Sequence, residues 1–254
     1  MLVAERFMSV QGEGTSVGCP AYFIRLQGCN LRCGGVGGSL MKEGKATWYC
    51  DTEDYWQHGV ETSNEELVNI WKLEGIYDNI LNGRIHLVWT GGEPALKRNA
   101  TDILNFINFI DLKENFIYNE LETNGTIITD YNDDSFCFYD YFEQINCSPK
   151  LANSGIEKEK RIVPAALEQI VNCNHNNYWF KFVINSEKDV QEIERDFIEP
   201  FDLIDPLRVI LMPDVDKQSE VREKTRRLFE ICKKTGYRGI TRQQILVWDK
   251  KPGV

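Results

Sequence analysis

Alternation constrains the fold of this chain more than any other feature. Apolar, β-rich runs recur at residues 2–8, 21–26, 85–90, 116–121, 178–184, 208–212 and 244–248, with helical patterns between several of them. Residues 65–73 follow a cap candidate, Ser63. Ile103, Leu104, Ile107 and Ile110 share one face of 101–110, and 190–198 and 221–233 are amphipathic in the same way. Such a pattern predicts an α/β fold on a mainly parallel sheet, open or curled into a partial barrel. The 254 residues, 42 % of them apolar, suffice for one large domain, and we read 1–254 as one. Parallel sheets gather ligands at the carboxyl ends of their strands. Four polar, turn-rich stretches follow the first four runs in turn: QGEG, a cysteine segment, TGGEP and ETNG. That coincidence predicts a single site.

Charge and cysteine usage narrow the class. A net charge of -10 repels phosphate backbones, so nucleic acid is not an expected partner, although one basic pocket could hold a small anion. No run of eighteen apolar residues occurs, and Glu5, Arg6, Gln11 and Glu13 interrupt the start, so neither a membrane span nor a secretory leader is expected. The expected location is cytoplasmic. Eight irregularly spaced cysteines are then reduced thiols, some of them metal ligands, and not a disulfide framework.

Three of those thiols lie in GCNLRCGGVGGSLMKEGKATWYCDT, with three residues between Cys29 and Cys33 and sixteen between Cys33 and Cys50. Thiolates select zinc, iron–sulfur clusters or copper. A structural zinc site normally draws on close pairs, and no C-x2-C pair occurs in the chain. Three cysteines without a fourth would leave a tetranuclear cluster with one iron open to another ligand. The glycine-rich GGVGG at 34–38 is not a phosphate loop, because no Gly-Lys-Ser/Thr follows it.

This segment resembles the C-x3-C-x2-C motif of the radical S-adenosylmethionine superfamily with its last gap stretched. More narrowly, the chain resembles the 7-carboxy-7-deazaguanine synthase family over nearly its whole length. SVQGEGTSVGCPAYFIRLQGCNLRC, WYCDT, TGGEP, ELETNG, NCSPK, FKFV, MPD and TRQQILVW carry the likeness in order. It implies a modified, partial (βα) barrel of the radical S-adenosylmethionine type, with an insertion at 34–49 inside the cluster motif.

The resemblance also implies roles. Cys29, Cys33 and Cys50 would ligate a 4Fe-4S cluster; Cys19, Cys137, Cys147, Cys173 and Cys232 would be ordinary thiols. Thr90, Gly91, Gly92 and Glu93 would meet the methionine end of S-adenosylmethionine, the glycines by close backbone approach and Glu93 by a charge-assisted bond to the ammonium. Asn124, Ser148 and Lys150 would be further cofactor contacts. The implied substrate is 6-carboxy-5,6,7,8-tetrahydropterin. Arg25, on the same strand face as Phe23, could clamp its carboxylate, with Gln11, Glu13, Gly92 and Glu122 along its polar edge. Thr52 would contact magnesium, which alone is a poor site for that cation, so binding would require substrate.

The implied reaction is reductive cleavage of S-adenosylmethionine to a 5′-deoxyadenosyl radical, hydrogen abstraction from the pterin, ring contraction with loss of ammonia, and return of the hydrogen. Two other readings fit parts of the chain: a radical activase acting on a partner protein, and a non-catalytic zinc module using Cys29, Cys33, Cys50 and His58. By analogy with the family a homodimer is expected. The insertion, with Lys42 and Lys45, is expected to cover the cluster and offer positive charge to an acidic electron carrier such as a flavodoxin.

Overall fold

A computed structural model describes residues 1–110, 115–129, 137–173, 177–200, 204–251 and 253–254. Among them, nine strands form one open sheet: β1 (Leu2–Val10), β2 (Pro20–Leu26), β3 (Val60–Glu61), β4 (His86–Gly91), β5 (Asn119–Thr123), β6 (Gln144–Cys147), β7 (Tyr178–Ile184), β8 (Val209–Pro213) and β9 (Arg238–Gly239). Their order is β3-β1-β2-β4-β5-β6-β7-β8-β9. From β2 to β9 every neighbouring pair is parallel, while β1 is antiparallel to both β2 and β3. The α/β class and the mainly parallel, unclosed sheet expected from the alternation are present.

Helices cover one face. Asn64–Leu73 starts where Ser63 Oγ accepts the Glu66 amide at 3.1 Å, the cap read from the sequence. Lys97–Ile110 buries Ile103, Phe106, Ile107 and Ile110. Against them the strands turn every second residue: Tyr22, Ile24 and Leu26, then Leu87 and Trp89, Leu121, Ile145, Phe180 and Phe182, Val209 and Leu211. Phe106 stands edge-on to both Trp71 and Trp89, with centroids 5.5 Å apart in each pair. Full burial of such a side chain stabilises the fold by roughly 1.5–3 kcal/mol. By the same alternation Arg25, Thr90, Glu120, Glu122, Gln144, Asn146 and Lys181 look out of the opposite face, so the sheet has one apolar and one polar side.

Three expectations change. Residues 244–248 form part of a helix, Gln243–Trp248, not a strand. Its short apolar run supports either period, and Ile245 packs with Val215 and Val221 in a satellite cluster. The polar strand β6 was not expected at all, and the pattern at 116–121 becomes a strand only from Asn119. QGEG does not lie at the carboxyl ends of the parallel strands. Because β1 is antiparallel, with Val10 opposite Pro20, the loop emerges at their amino ends and folds back over the polar face. No helix among the described residues is long and apolar enough to cross a membrane.

Candidate active site

The loop after β2 is held by the turn after β4. Gly92 N donates to Leu26 O at 3.1 Å and Glu93 N to Gly28 O at 2.8 Å. A Cβ on Gly92 would lie 1.9 Å from Gly28 O, and one on Gly91, whose φ is 137°, would lie 2.3 Å from Leu26 O. The glycines of TGGEP are thus required by the backbone of the cysteine loop itself. Gly92→Ala is expected to displace Cys29 and lower iron incorporation several-fold, measured as iron per chain after anaerobic purification.

The sixteen-residue gap closes on itself: Cys50 N donates to Cys33 O at 3.1 Å, so the second and third cysteines lie side by side. Residues 34–49 pack on the segment after β6. Gly34 N donates to Ser154 O, Thr47 N to Asn153 O, and Trp48 Nε1 to Asn153 Oδ1 at 2.9 Å. In the same segment Lys150 Nζ donates to Ser148 Oγ at 3.1 Å and stands 5.8 Å from the centroid of the Trp48 ring. The insertion therefore joins the cysteines to the Ser148–Lys150 arm.

Burial raises the thiol of Cys29 to about 12, with Glu93, Cys33 and Cys50 adding to the effect. Cys33 rises to about 11, burial again leading, with Lys150 opposing. Cys29 and Cys33 are thus held as protonated thiols, and the positive charge of iron is what would turn them into ligands. Among the described residues no three His, Cys, Asp or Glu side chains converge on a single-ion site, and His58 is exposed. A cluster held by one thiolate per iron suits this donor set. Cys29, Cys33 and Cys50 are free of disulfides.

Glu93 is fully buried. It accepts from Ala95 N at 2.9 Å, Thr123 Oγ1 at 2.7 Å and Asn124 N at 2.7 Å, stapling the ends of β4 and β5. Burial raises its pKa although these donors oppose the rise. A carboxylate has about four acceptor sites, so about one remains for a ligand ammonium. Asn124 Nδ2 donates to Asn30 Oδ1 at 3.0 Å and lies 3.9 Å from Cys29 Sγ, which sets it beside the cysteine loop. Thr52 Oγ1 lies 3.4 Å from Cys50 Sγ.

On the polar face, carboxylates and cations interlock. Lys181 Nζ, almost wholly buried, donates to Glu122 Oε2 at 2.7 Å and to Glu13 Oε2 at 3.4 Å. Gln11 Nε2 donates to Glu120 Oε2 and Glu122 Oε1 at 3.2 and 3.3 Å, and Asn146 Nδ2 reaches the same two carboxylates. Burial raises Glu122 to about 7 against the pull of Lys181. Burial also acts to raise Glu13, but Arg242 and Lys181 together hold it at about 2. Arg25 shares this face beside Thr90, its register partner, and its Nε donates to Glu5 Oε2 at 3.0 Å. Of the residues singled out in the sequence, Gln11, Glu13 and Glu122 therefore meet in one network, and the cysteines, Glu93, Asn124, Ser148 and Lys150 meet in a second. The partners that complete the first network, Glu120, Asn146, Lys181 and Arg242, were not singled out. Lys181 was legible as a lone cation between Phe180 and Phe182.

The fold has solved counterparts. It matches the crystal structure of QueE from Escherichia coli with a TM-score of 0.61 at 22 % identity, over 94 % of this chain and 92 % of that one. It matches anSMEcpe, solved with bound AdoMet and the Cp18Cys peptide, with a TM-score of 0.51 at 16 % identity, over 91 % and 67 %. These likenesses define the class of fold: an α/β partial barrel on a mainly parallel, unclosed sheet. No family model matches the sequence. It is 31 % identical over 256 residues to 7-carboxy-7-deazaguanine synthase of Pyrobaculum aerophilum, covering 99 % of this chain and 96 % of the relative. Identity to the synthase of Aquifex aeolicus is 30 % over 223 residues, covering 87 % and 80 %. The chain belongs to the 7-carboxy-7-deazaguanine synthase family.

Proposed function

We infer that the protein is a radical S-adenosylmethionine lyase that converts 6-carboxy-5,6,7,8-tetrahydropterin to 7-carboxy-7-deazaguanine with release of ammonia, in 7-deazapurine biosynthesis. Family membership supplies the reaction. The observation that carries it to this chain is the adjacency, on one sheet, of the loop bearing Cys29, Cys33 and Cys50 and a buried acidic face, bridged by contacts from Asp51 to Glu13 through Arg242.

Cys29, Cys33 and Cys50 would hold the cluster, and Thr90 to Glu93, Asn124, Ser148 and Lys150 would border S-adenosylmethionine. When bound, these groups would supply radical chemistry, a reversible transfer of one hydrogen atom between the substrate and the cofactor's 5′ carbon. The chain's own residues bind and orient. Gln11, Glu13 and Glu122 present acceptors to the N–H groups of the pterin edge, beside the Gly92 backbone. Glu5 fixes the plane of the Arg25 guanidinium, whose terminal nitrogens would meet the substrate carboxylate. Thr52, next to Cys50, is the protein contact proposed for magnesium, with substrate oxygens completing the shell.

The insertion acts first as a clamp on the Ser148–Lys150 arm. A flavodoxin-like donor remains our proposal for the reductant, with Lys42 the principal charge it would meet, since Lys45 is paired with Glu43 at 2.8 Å. We also propose a homodimer, by analogy with the family, and a cytoplasmic location, in keeping with the free thiols.

Anaerobic incubation of reconstituted enzyme with the carboxypterin, S-adenosylmethionine, magnesium and dithionite tests the reading. Formation of 7-carboxy-7-deazaguanine with S-adenosylmethionine regenerated is expected. Cofactor cleavage with no change in the pterin would overturn the substrate and favour the activase reading.

A further inference from the structure

One guanidinium ties the acidic face to the cysteine arm. Arg242 donates from Nε to Glu13 Oε1 at 2.9 Å, from Nη2 to Asp51 Oδ2 at 2.6 Å and from Nη1 to Val215 O at 3.0 Å. Its partners lie 229 and 191 residues away in sequence, so tertiary structure and not local chain geometry makes the bridge. Glu13 belongs to the loop that faces the substrate. Asp51 stands between Cys50, the third thiol, and Thr52.

We propose that Arg242 is a positioning residue that fixes the substrate-facing carboxylate of Glu13 and the Cys50–Thr52 arm relative to each other. The proposal rests on the function inferred above. A planar guanidinium held at three nitrogens has no free rotation, so it transmits the position of one carboxylate to the other. The mount itself is rigid. Gln243 N donates to Gly12 O at 3.1 Å, Gln244 Nε2 donates to Glu13 Oε1, and Ile245 is buried against Val215 and Val221. A Cβ on Gly12 would lie 2.1 Å from Gln244 Oε1, so the QGEG loop is seated directly on this segment.

The bridge also answers a chemical need. Burial favours a neutral carboxyl at Glu13, which would then present a proton to the N–H donors of the pterin edge instead of an acceptor. Arg242 and Lys181 reverse that tendency. Lys181 is shared with Glu122, whereas Arg242 also carries the orientation of Glu13 to the far side of the site, where Asp51 is about half exposed.

Equilibrium binding of 6-carboxypterin, a stable oxidised analogue, to the reconstituted enzyme tests this alongside KM for the true substrate. Arg242→Gln is expected to weaken both by at least about tenfold, equivalent to about 1.4 kcal/mol. Unchanged iron content and thermal midpoint would confirm that the variant folds. Arg242→Lys keeps the charge without the fork and is expected to recover only part of the loss. Asp51→Asn is expected to weaken analogue binding in the same direction, and its effect should largely vanish in the Arg242→Gln background. Arg242→Lys equal to wild type overturns the geometric bridge, as does an Asp51→Asn variant with wild-type affinity. If Arg242→Gln does not fold, the Arg242→Lys and Asp51→Asn results decide. Wild-type enzyme that fails to bind the analogue and fails to turn over the carboxypterin overturns the functional reading, and this proposal with it. Normal wild-type binding with unaltered Arg242→Gln binding overturns the bridge alone.

Discussion

Replacing Cys29, Cys33 or Cys50 singly by alanine is expected to abolish the cluster and all formation of 5′-deoxyadenosine. Burial raises the thiols of Cys29 and Cys33 to about 12 and 11, so neither is a thiolate near neutral pH unless a metal makes it one. Two thiolates leave two irons without a protein ligand, and the arrangement that opens only one coordination site is lost. Alanine at Cys19, Cys137, Cys147, Cys173 or Cys232 should leave iron and sulfide near the wild-type level. Cys147 is the informative control. It is fully buried, and its sulfur would lie 2.5 Å from a Cβ on Gly125, so its replacement disturbs packing under the ETNG turn without touching the cluster. Iron and sulfide analysis with the visible absorbance of each variant decides. Retention of the cluster by Cys33→Ala together with its loss in Cys19→Ala would sink the assignment.

The apolar side of the fold was legible and the polar side was not, for a physical reason. Strand β7 reads YWFKFVI, and β2 and β4 read almost as clearly, because residues buried against helices must be apolar at every second position. Strand β6 reads QINC: Gln144 is buried donating to Ser16 Oγ and Asn146 Oδ1, and Asn146 donating to the Glu120 and Glu122 carboxylates, so the composition of the strand is that of a loop. The direction of β1 was equally hidden, since period two is the same for parallel and antiparallel pairing. Quoted motifs located Gln11, Glu13 and the cysteines, but nothing local pairs Arg242 with Glu13 or Asp51, because those contacts exist only once the chain ends meet. The glycines of TGGEP were expected to make room for a ligand. They also make room for Gly28 and Leu26.

Lys181→Met is expected to cost about 3–5 kcal/mol of stability, the range for breaking a buried ion pair by removing one partner. The variant leaves Glu122 and Glu13 facing each other in a buried network with Arg242 as the remaining nearby cation. Glu122, already raised to about 7 by burial, should climb further and hold a proton across neutral pH. The sign of the pH dependence follows. A carboxyl whose folded pKa exceeds its unfolded value of 4.5 binds a proton in the native state that the unfolded chain has released. Its contribution therefore falls as pH rises from about 4.5 through 7. Glu13, held at about 2, acts oppositely, and its contribution is present above 4.5 and lost as pH falls towards 2. Near neutrality Glu122 governs the slope. The deficit of Lys181→Met should thus be larger at pH about 8 than at pH about 5, measured by urea unfolding of the metal-free protein. Adding Glu122→Gln to the variant removes the stranded charge and should restore most of the loss at the higher pH. A deficit independent of pH, or no recovery in the double variant, would show that packing of the lysine stem, and not its charge, holds this face together.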